Sequence, residues 1–236
     1  MTNKKPFKLF SKSKNPYEDI NNKKLLNQVV IVFVLLNSMR FIFDFIAWQV
    51  AGPISLFFGL VAVWYYNKKN NITWRLLGFK KEWLKTILWI FITLVIALFV
   101  IIFAGKLANI FFEKLPRENI RFGNLEGNIG LTLSWVTLGI AAGGFGEEIV
   151  YRGFFVNAIE KLINKKMGIA IAILLPALFW GLRHFYFSGG HGSIVVFSIG
   201  LLFGIIYIIN GRNIWPLIFV HALIDTSSFV LRYYGL

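Results

Sequence analysis

Long apolar runs, separated by short polar and lysine-rich stretches, make up most of this chain. About 20 consecutive apolar residues cross a bilayer as an α-helix. Inside hydrocarbon only helices and closed barrels satisfy every backbone group. The runs predict seven helices, at about 29–50, 54–66, 84–112, 129–163, 167–187, 193–209 and 214–233. The second is short for a full span, so it must extend, tilt or re-enter. Gly52-Pro53 reads as the end of the first helix. Residues 67–85 read as a basic connector with Trp74 and Trp83 at the membrane surface. Residues 113–128, with Pro116 and several glycines and asparagines, read as a solvated loop, and 188–192 and 210–213 as tight turns. Pro176 predicts a kink in the fifth helix. Pro216 falls in the first turn of the seventh, where proline is tolerated. The expected fold is an all-α, polytopic transmembrane bundle of about seven helices (six to eight). A basic tail, 1–28, precedes a membrane domain at 29–236.

Composition agrees. The 236 residues are 57% hydrophobic and only 15% charged, with a mean hydropathy of +0.65, whereas a soluble domain carries about 25% charged residues. The net charge of +14 would suit nucleic acid, but the basic residues cluster between apolar runs and form no groove-binding module, so nucleic acid is not an expected partner. With the N-terminus cytoplasmic, inner segments hold seven lysines from Lys4 through Lys24, six basic residues from Lys68 to Lys85, then Lys161, Lys165, Lys166 and Arg212. Outer segments hold Lys114, Arg117, Arg121 and Arg232. That asymmetry follows the positive-inside rule. The tail can rest on anionic lipid. The first run begins near Val29, lacks a small-residue cleavage site and is interrupted by Arg40 and Asp44, so it is expected to stay as a membrane helix. Arg40 and Asp44 stand one turn apart and can pair. There is no cysteine, which excludes disulfides, thiolate catalysis and cysteine-held metal.

Against this background Gly146-Glu147-Glu148-Ile149-Val150-Tyr151-Arg152-Gly153 stands out, because it places two carboxylates and a guanidinium inside the fourth helix. A charge there costs ~3 kcal/mol on insertion scales, and ionisable residues at such depth point to function. Glu148 and Arg152 are four apart and can neutralise one another, which leaves Glu147 for another task. The fifth helix offers Arg183 and His184, and the seventh offers His221 and Asp225 on one face. His191, in a turn, reads as a surface residue. Gly139 with Gly143, and Gly200 with Gly204, are small-xxx-small pairs that let helices approach closely. A carboxylate and a histidine sharing one water make a general base, and burial tunes a carboxylate toward that task near neutrality. A second histidine can meet a developing oxyanion. The same groups could instead form a zinc site, with Glu147, His184 and His221 as ligands and an open position for water. Spacing alone leaves both open. Internal repeats of the transporter kind are absent.

These three motifs in order, Glu147-Glu148-x-x-x-Arg152, a helix bearing His184, and His221-x-x-x-Asp225, resemble the signature of the CPBP intramembrane proteases. That family includes bacterial Abi-type proteins and the type II CAAX prenyl endopeptidases. Its pattern is E-E-x-x-x-R, F-x-x-x-H and H-x-x-x-N or D, and the likeness covers about 132–230, within a core of about 129–233. Here Trp180 stands where the pattern has phenylalanine, and Arg183 immediately precedes the histidine. The resemblance implies a membrane-embedded peptidase in which Glu147 and His184 activate water. His221 and Asp225 would stabilise the oxyanion, or Asp225 would orient His221. Glu148 and Arg152 would assist by positioning and charge compensation. It favours a metal-independent mechanism over zinc, with no cofactor, and a peptide or protein substrate in a lipid setting. A bacterial plasma membrane is the expected location. The alternative it allows is a non-catalytic protein for bacteriocin self-immunity or partner scaffolding.

Overall fold

The computed structural model describes residues 13–113, 121–163 and 167–236, and every described element is helical. Expectations resting on residues 1–12, Lys114, Pro116, Arg117, Lys165 and Lys166 lie outside the described residues. In chain order the helices are α1 (Asn22–Ala47), α2 (Ala51–Lys69), α3 (Trp74–Leu77), α4 (Trp83–Phe111), α5 (Ile129–Leu138), two π-helical segments (Gly139–Glu147 and Ile149–Val156), α6 (Asn157–Ile163), α7 (Gly168–Ile209) and α8 (Trp215–Tyr233). From α5 through α6 the chain is one rod, Ile129–Ile163. This rod, α1, α4 and α7 are each long and apolar enough to cross a membrane. The molecule is thus an integral membrane bundle.

α7 is two helices in one. Gly189, at φ 61° and ψ −168°, is its only residue with non-helical dihedrals. The arms on either side fold back on each other: Gly200 lies against Ala177, Gly204 against Ile173 and Gly181 against Phe197. This supplies the predicted fifth and sixth helices, with a turn of one non-helical residue instead of five. Pro176 leaves the helical dihedrals around it intact, because the break sits at glycine, which has no Cβ to oppose φ > 0.

Several boundaries shift for local reasons. α1 starts at Asn22, seven residues before the apolar run, because the Asn21 side chain caps it by accepting from the Lys23 and Lys24 amides. α2 has 19 residues and is a full helix. Gly52-Pro53 belongs to its first turn, where proline's missing N–H has no helical partner to lose. The basic connector contains the short α3, stopped by Gly78 in the left-handed region.

Packing is inverted relative to a soluble protein. Phe45, Leu84, Phe103 and Ile110 are more than 70% exposed, whereas Ser55, Thr86, Thr93 and Asn67 are buried. Water would reject such a surface, and a bilayer accepts it. The bundle's two ends are equally distinct. At one end Tyr17 donates to Asn67 (2.6 Å), Asn15 to Asn157 O and Glu160 (both 2.8 Å), and Arg212 to Glu160 (2.8 Å). Lys80 donates to Gly211 O, and Arg212 also meets Asn157. At the other end Arg121 donates to Gln49 O at 3.1 Å and Gly127 to Tyr233 O at 3.0 Å. The chain alternates between these ends, as seven crossings require. Residues 13–21, within the basic tail, pack against the bundle, and Tyr17 is fully buried against Phe154.

Candidate active site

The acidic rod is the pivot. Its backbone widens to π-helix over 139–156, apart from Glu148, with i→i+5 bonding of the kind that clusters at functional sites. Gly139 and Gly143 bring α8 close, since a Cβ on Gly139 would lie 3.1 Å from Phe229, and one on Gly143 would collide with Asp225 Oδ2 and lie 3.4 Å from His221 Nε2. Consecutive residues on the rod point different ways. Glu147 faces a cavity of ≈ 360 Å³, and Glu148 points away from it into the core.

Glu148 is fully buried. Its Oε1 accepts from Arg152 Nη1 and meets His221 Nδ1, both at 2.9 Å. Arg152, 2% exposed, also donates to Gly200 O at 3.3 Å and lies 4.6 Å over the Trp180 ring. The pair is therefore neutralised as expected, and it also holds His221. With Nδ1 turned to a carboxylate, His221 presents Nε2 to the cavity, 3.8 Å from Glu147 Oε2 and 3.7 Å from Asp225 Oδ2. Glu148, from another helix, orients His221; Asp225, its neighbour one turn on, lies beyond hydrogen-bond distance.

His184 lines the same cavity. Its Nδ1 lies 2.8 Å from Trp180 O. A carbonyl only accepts, so Nδ1 carries the hydrogen and neutral His184 offers the Nε2 lone pair. Trp180 Nε1 donates to Glu147 Oε2 at 2.6 Å. Glu147, His184, His221 and Asp225 thus share one cavity, with Glu148 and Arg152 behind it. His191 takes no part in the lining.

Arg183 lines the cavity while tying three helices together, donating to Leu36 O (3.1 Å) on α1 and Ser55 Oγ (2.7 Å) on α2. Arg40 pairs with Asp44 at 2.7 Å and stacks 3.4 Å over Tyr186 at the cavity wall. Arg121 reaches the cavity from the loop before α5. Burial holds its guanidinium below the ordinary value, opposed by Tyr186, Glu147 and Asp225. Sequence reasoning passed over the indole bond of Trp180; its place one helical turn before His184 was the available signal.

A metal fits poorly. Among the described residues no three His, Asp or Glu side chains gather closely enough to hold one. Glu147 Oε2, which lies 3.8 Å from His221 Nε2, is moreover taken by the Trp180 indole N–H.

The helical membrane bundle thus gathers paired carboxylates and two histidines at one cavity, an arrangement able to activate a water. Residues 129–227 match the family model described as type II CAAX prenyl endopeptidase Rce1-like, so this segment is similar to a family of membrane proteases. No curated protein and no solved structure matches the chain.

Proposed function

We propose that the protein is an intramembrane endopeptidase that hydrolyses a peptide bond with a water held between Glu147 and His184. The supporting observation is the single cavity lined by Glu147, His184, His221 and Asp225. In this reading Glu147 takes a proton from the water while His184 Nε2 accepts its other hydrogen in a hydrogen bond. The water oxygen bonds to the scissile carbonyl carbon. His221 acts as the imidazolium: its Nδ1–H goes to Glu148 and its Nε2–H donates to the oxyanion, with Asp225 beside it. The C–N bond then breaks, and Glu147 passes its proton to the leaving nitrogen. The reaction uses no metal or other cofactor. Its substrate is a peptide or protein presented from lipid. The setting is a bacterial plasma membrane with the N-terminus cytoplasmic, in keeping with the basic residues that flank one set of helix ends.

The test is to purify wild type and Glu147→Ala in detergent and assay both against a quenched peptide library, repeating the wild type after chelation and after zinc add-back. Cleavage by wild type alone, unchanged by chelation, is the expected result. Loss on chelation with recovery in zinc would overturn the metal-free mechanism. Full cleavage by Glu147→Ala would overturn the role of Glu147. A cellular function that persists in a Glu147→Ala/His184→Ala double variant would favour self-immunity or scaffolding.

A further inference from the structure

Trp180 touches more of the site than any residue assigned to it. Its indole Nε1 donates to Glu147 Oε2 at 2.6 Å. Its carbonyl takes the Nδ1 hydrogen of His184 at 2.8 Å. Its ring lies edge-on to His184 and His221, with centroids 5.5 and 5.3 Å apart, and beneath the guanidinium of Arg152 at 4.6 Å. The side chain is only 3% exposed. Indole N–H can donate but not accept, so its bond to a carboxylate has one possible direction. A donor bonded to an ionised acceptor is among the stronger hydrogen bonds a protein makes.

We propose that Trp180 is the positioning residue for the general base: its N–H pins one oxygen of Glu147 and leaves Oε1 as the atom that takes the proton from water. The proposal rests on the peptidase reading given above. Phenylalanine at this position, as in the family pattern, fills much of the same space and keeps the backbone bond to His184, but it has no donor. A purely packing role for the ring would therefore be served by either residue, whereas positioning of Glu147 would not. Held through one oxygen and backed by the ring, the carboxylate cannot rotate to share both oxygens with His221 Nε2, which stands 3.8 Å from the pinned atom. The task is one of preorganisation, and it acts on the chemical step more than on substrate binding.

The experiment compares wild type, Trp180→Phe and Glu147→Gln in detergent on a peptide that wild type cleaves. Trp180→Phe is expected to lower kcat about 10- to 100-fold, the equivalent of one charge-assisted hydrogen bond, with KM changed by less than about 3-fold. Glu147→Gln should be inactive. Full kcat in Trp180→Phe beside an inactive Glu147→Gln overturns the positioning role alone. Full activity in Glu147→Gln overturns the peptidase reading and this proposal with it. A second readout does not depend on Trp180→Phe folding. Of the eight tryptophans, one indole N–H proton resonance should lie well downfield in the wild type and move upfield in Glu147→Gln, where the acceptor is neutral. If none of the eight moves, the proposal fails.

Discussion

Gly143→Ala separates site geometry from stability. The added Cβ collides with Asp225 Oδ2 and reaches 3.4 Å from His221 Nε2. The obstructing atom is the tip of a side chain, so the fold can yield by rotating Asp225. Restoring a contact of about 3.5 Å displaces the carboxylate by roughly 1 Å. A displacement of about 1 Å in a reacting constellation costs ~100-fold in rate, equivalent to ~2.7 kcal/mol of barrier. Stability should change less, by about 1 kcal/mol, since overpacking is relieved locally. Gly105→Ala on α4 is the control, because nothing lies within 4 Å of its new Cβ. That change should leave activity intact and stabilise the helix by about 0.5–1 kcal/mol. The assay is kcat/KM on a peptide cleaved by wild type, with thermal unfolding of each variant in the same detergent. Gly143→Ala retaining more than half of wild-type activity would refute the reasoning. So would equal losses of activity in both glycine variants.

Other outcomes follow from the same contacts. Arg152→Ala strands the buried Glu148 charge and should destabilise the protein by about 3–5 kcal/mol, whereas Glu148→Gln with Arg152→Met should lose less; thermal unfolding measures both. Arg183→Lys cannot reach Leu36 O and Ser55 Oγ together, so it should cost about 1–3 kcal/mol and loosen α1 in hydrogen exchange. Tyr17→Phe leaves Asn67 Oδ1 without its donor and should cost about 1–3 kcal/mol. Burial holds the Tyr17 hydroxyl well above its ordinary value. The folded state therefore keeps Tyr17 neutral while the unfolded chain ionises near pH ~10, so its contribution is complete below about pH 10 and is lost as the pH rises beyond that. Unfolding followed from pH 8 to 11 should show a steeper decline in wild type than in Tyr17→Phe.

The number and order of membrane helices could be read from residue order alone, because a bilayer demands about 20 apolar residues per crossing whatever the neighbours are. The oddity of Glu147, Glu148 and Arg152 was equally plain, since charge in hydrocarbon is costly at any position. Self-neutralisation of Glu148 by Arg152 followed from spacing within one helix. Helix ends were less legible. Asn21 caps α1 before its apolar run, and Pro53 opens α2 where it had read as closing the helix before it. Both depend on single side-chain or backbone bonds that periodicity does not register.

What tertiary packing alone decided is which groups meet across helices. Local order suggested Asp225 as the partner of His221, yet Glu148 holds its Nδ1 because the π-helical rod and α8 close over Gly139 and Gly143. Trp180 looked like a change of one aromatic ring for another, and its N–H acquired meaning only when Glu147 was delivered to it at 2.6 Å. Arg183 looked like an extra charge at the site; its partners lie on α1 and α2, far away in the chain. Intrahelical pairs depend on a repeat that every helix shares. Interhelical bonds depend on the rotation, widening and closeness of particular helices, set by the sum of many weak contacts that no local pattern encodes.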